Sequence, residues 1–119
     1  MASHDESQSL APLPPAAFHI LVALATGDRH GYAIMQDVAM RTDGNLKLNP
    51  GTLYTNIHRL LDQGFIVELD ERPDPEDDDE RRRYYRLTKH GRAAARAEMA
   101  RLERMVAFAR EAGLTSGRA

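Results

Sequence analysis

The chain has 119 residues, of which 42% are hydrophobic and none is cysteine, and its formal net charge is −2. This length supports one domain with a modest core and an extension, and the lack of cysteine excludes disulfides, thiolate metal sites and cysteine nucleophiles. No apolar run reaches the roughly 18 residues of a membrane span and residues 1–9 lack signal-peptide features, so we expect a cytoplasmic protein with no membrane partner.

Two helices are predicted in the first third of the chain. Residues 1–12 are polar and lack helix signals, so we expect a disordered tail. The first helix should run over residues 14–26 and end at Gly27. The apolar spacing gives it an inner face of Phe18, Leu21, Val22 and Ala25. A second helix over residues 31–42 should turn Ile34, Met35 and Val38 inward.

The most complete helix signals lie in residues 49–66. Asn49 supplies an N-cap oxygen, Pro50 suits the first helical position, and Gly64 ends the run. One face is an apolar stripe made of Leu53, Ile57, Leu60 and Leu61. The opposite face is small and polar, and it carries Thr52, Thr55, Asn56, Arg59 and Gln63. Such side chains can contact base edges and phosphates, although an ordinary amphipathic surface helix shows the same pattern. Together with the second helix it predicts a helix-turn-helix pair.

A two-stranded wing is predicted next, with strands over residues 65–69 and 82–87. The connection, residues 70–81, should be a long open loop. Eight of the 18 acidic residues lie between Asp70 and Glu80, which leaves the rest of the chain with 15 basic and 10 acidic residues. Because phosphate attraction depends on local potential, the negative total does not exclude a nucleic-acid partner. The acidic loop could be a solvated segment, a docking strip, or an imitation of a phosphate strand that folds toward nearby arginines.

The last predicted helix is capped by Thr88, continues to about Ala112 and stops at Gly113. It carries a coiled-coil seam of Met99, Leu102, Val106 and Ala109, widened by Met105 and Phe108. A helix of this length spans about 36 Å, more than a three-helix core can cover. A second copy of the chain is the simplest partner for the excess, since twofold homodimers are the commonest soluble oligomers. The same apolar residues could instead line a ligand pocket.

Three segments stand in this order over roughly residues 14–92: His30-Gly31-Tyr32-Ala33-Ile34, then Pro50-Gly51-Thr52-Leu53-Tyr54 with Leu60 and Gly64-Phe65-Ile66, then Arg83-Tyr84-Tyr85-Arg86-Leu87-Thr88 with Gly91-Arg92. With these segments and the order of its predicted elements, the chain resembles the PadR family of transcriptional regulators. Two features depart from the family pattern. Thr55 stands where the family usually has proline, and the wing is long and acidic where the family's wing is short and often basic.

The resemblance implies a mainly α fold with a small two-stranded β-wing: a winged helix-turn-helix domain over residues 13–88, a dimerisation helix over 89–113, and a disordered tail over 114–119. It further implies a homodimeric repressor whose third helices enter successive major grooves of a pseudo-palindromic operator, about 34 Å apart. A small aromatic or drug-like effector between the long helices and the core is implied as well. Neither a cofactor nor a metal is expected.

The candidate DNA contacts are Tyr32, Thr52, Tyr54, Thr55, Asn56, Arg59, Arg81, Arg82 and Arg83. Tyr54 resembles a family tyrosine that reaches the DNA backbone, and its alternative is a core contact to the wing. Arg59 could pair with Asp62 or Gln63 instead. The three wing arginines could hold phosphates or neutralise residues 77–80, and His58 is a less certain contact.

The alternative function is a winged-helix protein-interaction module without DNA binding, which would use the acidic loop as its docking strip. An enzyme is not expected, because no nucleophile stands beside a base and no glycine-rich phosphate loop is present.

Overall fold

Four helices and three short strands make up the part of the chain that the computed structural model describes, residues 12–69 and 83–115. In chain order they are α1 (Pro15–Ala25), β1 (Arg29–His30), α2 (Gly31–Arg41), α3 (Pro50–Asp62), β2 (Ile66–Glu68), β3 (Tyr84–Leu87) and α4 (Lys89–Glu111). The mainly α winged-helix class is confirmed. The predicted loop over residues 70–81 lies outside the described residues, as do nearly all of the two predicted tails.

The helix ends follow local capping chemistry. Asn49 Oδ1 accepts a hydrogen bond from the Thr52 backbone N–H at 2.8 Å, and Thr88 Oγ1 accepts one from the Gly91 N–H at 2.9 Å. The stop residues Gly64 and Gly113 take positive φ angles of 77° and 89°, which glycine adopts without steric cost. These starts and stops confirm the predicted boundaries of the third and last helices.

The two predicted wing strands pair as β2 and β3, and the sheet has a third strand, β1, that was not predicted from the sequence. The strand order is β1-β3-β2, with both pairs antiparallel, and Arg29 and His30 of β1 lie opposite Tyr85 and Tyr84. A strand of two residues has no alternating pattern for a sequence to reveal. Its place is secured by an ion pair from Asp28 to Arg86 of β3, with oxygen to nitrogen distances of 2.8 and 3.1 Å.

The buried face of α1 differs from the predicted one. Phe18 and Val22 are only partly buried and Ala25 is exposed. The residues that enter the core are Ala17, Ile20, Leu21, Ala23 and Leu24. The cause is that α1 packs against α2, α3, α4 and β3 at once, so a single apolar stripe does not describe its contacts. Each of α2 and α3 packs against fewer elements than α1 does. Their buried residues Ile34, Val38, Leu53, Ile57 and Leu60 lie on the predicted faces.

The start of α4 is pressed against the turn that follows α3. The Thr88 backbone N–H donates to the Phe65 carbonyl at 3.1 Å, and the Thr88 hydroxyl donates to the Gly64 carbonyl at 2.7 Å. One turn later, a Cβ added to Gly91 would overlap the Phe65 carbonyl oxygen. Only glycine permits this approach, which brings the start of α4 into direct contact with the turn after α3.

A buried carboxylate holds the segment before α1 onto α4. Glu98 Oε1 accepts the Leu13 backbone N–H at 3.0 Å, and the Arg101 guanidinium donates to both carboxylate oxygens at 2.9 and 2.6 Å. The hydrogen bonds from Arg101 lower the pKa of Glu98 below its ordinary value, against the opposing effect of burial. Glu98 is therefore ionised and fully paired at neutral pH.

Only the first part of α4 rests on the domain. Its buried residues are Gly91, Ala94 and Glu98, and none follows Glu98. Within the described ranges, no helix is long and apolar enough to cross a membrane.

We expect Gly91→Ala to lower the free energy of unfolding by about 1 to 3 kcal/mol through overpacking, although alanine is normally the better helix former. Denaturant titration measures the change. Gly51→Ala is the matched control, because a Cβ there meets nothing closer than 3.4 Å. An equal effect of the two substitutions would contradict the proposed clash.

We also expect Glu98→Gln to lower the free energy of unfolding at neutral pH by about 1 to 3 kcal/mol, the size of a charge-assisted hydrogen bond. Because the folded-state pKa is lowered, this stability is present above the ordinary value of 4.5 and is lost as the pH falls through the folded-state pKa. Unfolding measured across acidic pH should therefore show the two proteins converging. A gap that stays constant down to the lowest pH would argue against the ion pair.

Candidate nucleic-acid interface

The outward face of α3 is polar and open. Leu53, Ile57 and Leu60 are fully buried and hold the helix to the core, so the residues on its other side face solvent. These exposed residues are Gly51, Thr52, Thr55, His58, Arg59 and Asp62. Among the described residues Arg59 has no hydrogen-bond or ion-pair partner, and the alternative pairing with Asp62 or Gln63 is not observed. Its guanidinium is therefore available to a ligand.

Asn56 does not belong to this face, and its prediction as a groove-facing residue is wrong. Its relative exposure is 8%, and its side-chain amide donates to the Thr52 carbonyl at 2.9 Å within the same helix. The reason is its spacing, three residues after Leu53 and four before Leu60, which places it on the core side. His58, the contact that sequence reasoning held less certain, is exposed instead.

Tyr54 joins the start of α3 to the start of α2. A Cβ added to Gly31 would lie 2.5 Å from the Tyr54 hydroxyl oxygen, so the tyrosine ring lies directly over the first residue of α2. The ring is still 41% exposed, and the neighbouring Tyr32 is 58% exposed. Tyr54 thus packs on α2, a contact that the sequence did not suggest beside its DNA and wing alternatives. Tyr32 follows Gly31 directly in the chain, so both tyrosines have exposed surface near this contact.

Of the three predicted wing arginines, the structure describes Arg83. Arg81 and Arg82 lie outside the described residues. Arg83 binds Glu68, with its Nη1 at 3.1 and 3.5 Å from the two carboxylate oxygens. Glu68 was missed as a partner by sequence reasoning, which considered only residues 77–80. The missing signal was the register of the two strands. Glu68 lies opposite Tyr85, and this brings it close to Arg83, two residues before Tyr85 in the chain.

Tyr85 of β3 lies opposite Glu68 in the sheet, and its side chain is buried. Burial raises the pKa of Tyr85 to about 12, with smaller contributions in the same direction from Glu68 and Tyr54, and Arg83 opposes them. Tyr85 therefore stays protonated and neutral at physiological pH. The Tyr54 hydroxyl lies against Gly31, which directly follows β1, and β1 pairs with β3. The start of α3 and the base of the wing, where Arg83 bonds to Glu68, therefore form one corner.

Several other arginines are held by carboxylates within the fold. Asp37 is buried between Arg29 and Arg41, at 3.7 and 2.7 Å. Arg86 is bonded to Asp28, and this hydrogen bond raises the pKa of Arg86 further. These side chains hold β1 and α2 in place and are not free to bind a ligand.

A second candidate surface lies on α4. Exposed apolar side chains follow Glu98 along the predicted seam: Met99, Met105, Val106 and Phe108 are exposed, and Leu102 and Ala109 are partly buried. Met99 also lines a shallow groove of about 130 Å³ between α1 and α4, with Phe18, Val22 and Arg96. Met105 and Phe108, which were predicted to line a pocket with Met99, are not among its lining residues.

Residues 20–97 match a family model described as "Transcriptional regulator PadR-like family". The transcriptional regulator Rv3488 of Mycobacterium tuberculosis is 34% identical to the chain over 87 residues, which are 73% of this chain and 75% of the relative.

Solved structures show the same fold. A transcriptional regulator from Clostridium thermocellum superposes with a TM-score of 0.69 at 26% identity, over 81% of this chain and 87% of that one. Bacillus subtilis PadR in complex with operator DNA superposes with a TM-score of 0.60 at 20% identity, over 72% of this chain and 48% of the neighbour. At that identity the likeness to the DNA complex is one of fold.

Proposed function

Because the chain belongs to the PadR-like family of transcriptional regulators, we propose that it binds double-stranded operator DNA as a homodimeric repressor. The observation that carries the proposal is the outward face of α3, a polar surface with an unpaired arginine on a helix whose other side is anchored in the core. Thr52, Thr55, His58 and Arg59 are the side chains that we place in or beside the major groove, where arginine recognises guanine and hydroxyls contact either base.

The first turn of α3 suits a DNA phosphate. Its free backbone N–H groups and the positive end of the helix dipole attract anions. Tyr54 of α3 is partly exposed with its hydroxyl against Gly31, and exposed Tyr32 follows Gly31 in the chain. We place both tyrosines near the phosphate backbone. These contacts would set the register of α3 in the groove without reading the sequence.

The exposed seam of α4 supports the homodimer. It continues the stripe that buries Gly91, Ala94 and Glu98 in the first part of the helix, but beyond Glu98 the domain has nothing left to cover it. A second copy offers an identical seam, and a twofold axis between two α4 helices would place two α3 helices on successive grooves.

A small aromatic or drug-like effector would bind beside this seam. The groove of about 130 Å³ between α1 and α4 that Met99 lines is smaller than the roughly 300 to 1,000 Å³ typical of ligand pockets. A second cavity of about 390 Å³, lined by Phe18, His19 and the seam residue Leu102, falls within that range and is where we place the effector. We place the protein in the cytoplasm, with the DNA it would regulate.

We expect Arg59→Ala to weaken binding about 10- to 100-fold on a DNA fragment selected from the genome by the purified protein, with a smaller loss on unrelated duplex. Fluorescence anisotropy at fixed salt measures both. Arg96→Ala, which removes the same charge from an exposed site on α4, is the control. Equal losses for the two variants would count against a role of α3 in reading bases, and wild-type protein that binds no DNA at low salt would support a protein-interaction module.

We expect Val106→Glu to convert the dimer to a monomer, since it places a charge in the apolar seam. Ala107→Glu adds the same charge one residue later, off the seam, and should leave the dimer intact. Sedimentation velocity over a range of concentrations distinguishes the two masses. A dimer that survives Val106→Glu would place the interface elsewhere.

A further inference from the structure

One carboxylate lies at the corner where the proposed DNA-binding surface passes from α3 to the wing. Glu68, on β2, is bonded to Arg83 just before β3 and lies opposite Tyr85 in the antiparallel pairing of the two strands. The Glu68 side chain is 39% exposed and that of Arg83 is 65% exposed. A carboxylate in this position occupies an arginine that could otherwise bind a DNA phosphate.

The pair is not needed to hold the wing together. The Leu69 backbone N–H donates to the Tyr84 carbonyl at 2.9 Å, and the register of β2 on β3 runs from Ile66 opposite Leu87 to Glu68 opposite Tyr85. Phe65, Ile66 and Tyr85 are buried beneath the two strands. The backbone ladder and the core thus fix the wing's base, and an exposed ion pair adds little stability to them.

The pair is also loosely bonded for an arginine and a carboxylate. Only Nη1 of Arg83 contacts Glu68 among the described residues, at 3.1 and 3.5 Å. Arg86 binds Asp28 through two nitrogens, at 3.1 and 2.8 Å, and so forms the fork that makes such pairs strong. The other nitrogens of the Arg83 guanidinium have no partner among the described residues. A phosphate could therefore bind them before the hydrogen bonds between Arg83 and Glu68 break.

We propose that Glu68 competes with DNA phosphate for Arg83. In the free protein Glu68 holds the Arg83 guanidinium, and on the operator a backbone phosphate replaces Glu68 as the partner of Arg83. This inference rests on the proposed function. Since a phosphate contact carries no sequence information, the competition weakens binding to all DNA and leaves a larger share of the affinity to the base contacts of α3.

A double-mutant cycle tests the exchange. We expect Glu68→Gln to tighten binding about 3- to 10-fold on the selected fragment and on unrelated duplex alike, and Arg83→Gln to weaken it on both. Arg83→Gln combined with Glu68→Gln should bind like Arg83→Gln alone, because Glu68 then has no arginine to withhold. Anisotropy at low salt gives the dissociation constants, and circular dichroism with thermal unfolding verifies that each variant is folded.

Asp62→Asn is the matched control, since it removes an exposed carboxylate from α3 without freeing an arginine. Any gain that it produces should persist in the Arg83→Gln background, whereas the gain from Glu68→Gln should disappear there. The inference is overturned if Glu68→Gln leaves affinity unchanged, or if its gain survives in full without Arg83, which would mean direct repulsion of DNA. Wild-type protein that binds no duplex at low salt would instead overturn the proposed function, and this inference with it.

Discussion

The close approach between the Phe65 carbonyl and the start of α4 is the contact on which the rest of the architecture depends. Thr88 bonds to Gly64 and Phe65, and the absence of a side chain at Gly91 lets the helix pass directly over that carbonyl. The turn after α3 and the first turn of α4 therefore behave as one rigid joint. α3 carries the proposed DNA contacts and α4 carries the proposed dimer seam. The way in which two α4 helices pair in a dimer would therefore determine the distance between its two α3 helices.

Some charged side chains stabilise the fold, and others are available to a ligand. Asp28 holds Arg86 of β3, and Asp37 holds Arg29 of β1 as well as Arg41 of its own helix. Glu98 holds Arg101 of its own helix and accepts the Leu13 backbone N–H. Arg59 stands outside this set with no described partner, and Arg83 is held only by an exposed carboxylate. A formal net charge of −2 is therefore compatible with an anionic partner, because the potential at the α3 surface depends on which arginines the fold leaves available.

The proposed interface combines rigid and adjustable parts. Buried Leu53, Ile57 and Leu60 allow α3 little movement, and Tyr54 packs over Gly31 to connect α3 with α2. The corner at Glu68 and Arg83 is different, because its ion pair is exposed and the backbone holds the wing without it. A surface of this kind positions its reading helix in advance and leaves one cation to rearrange on contact with the phosphate backbone.

The sequence by itself determined where helices begin and end, because caps and stops are local: Asn49, Thr88, Gly64 and Gly113 act within a few residues of their own position. It also determined the family, through motifs at fixed spacing. Only the tertiary structure shows which side of α1 is buried, that residues 29 and 30 form a third strand, and that Arg83 meets Glu68. Each of these depends on an element distant in the chain, and the spacing of residues along one helix or strand carries no information about what packs against it.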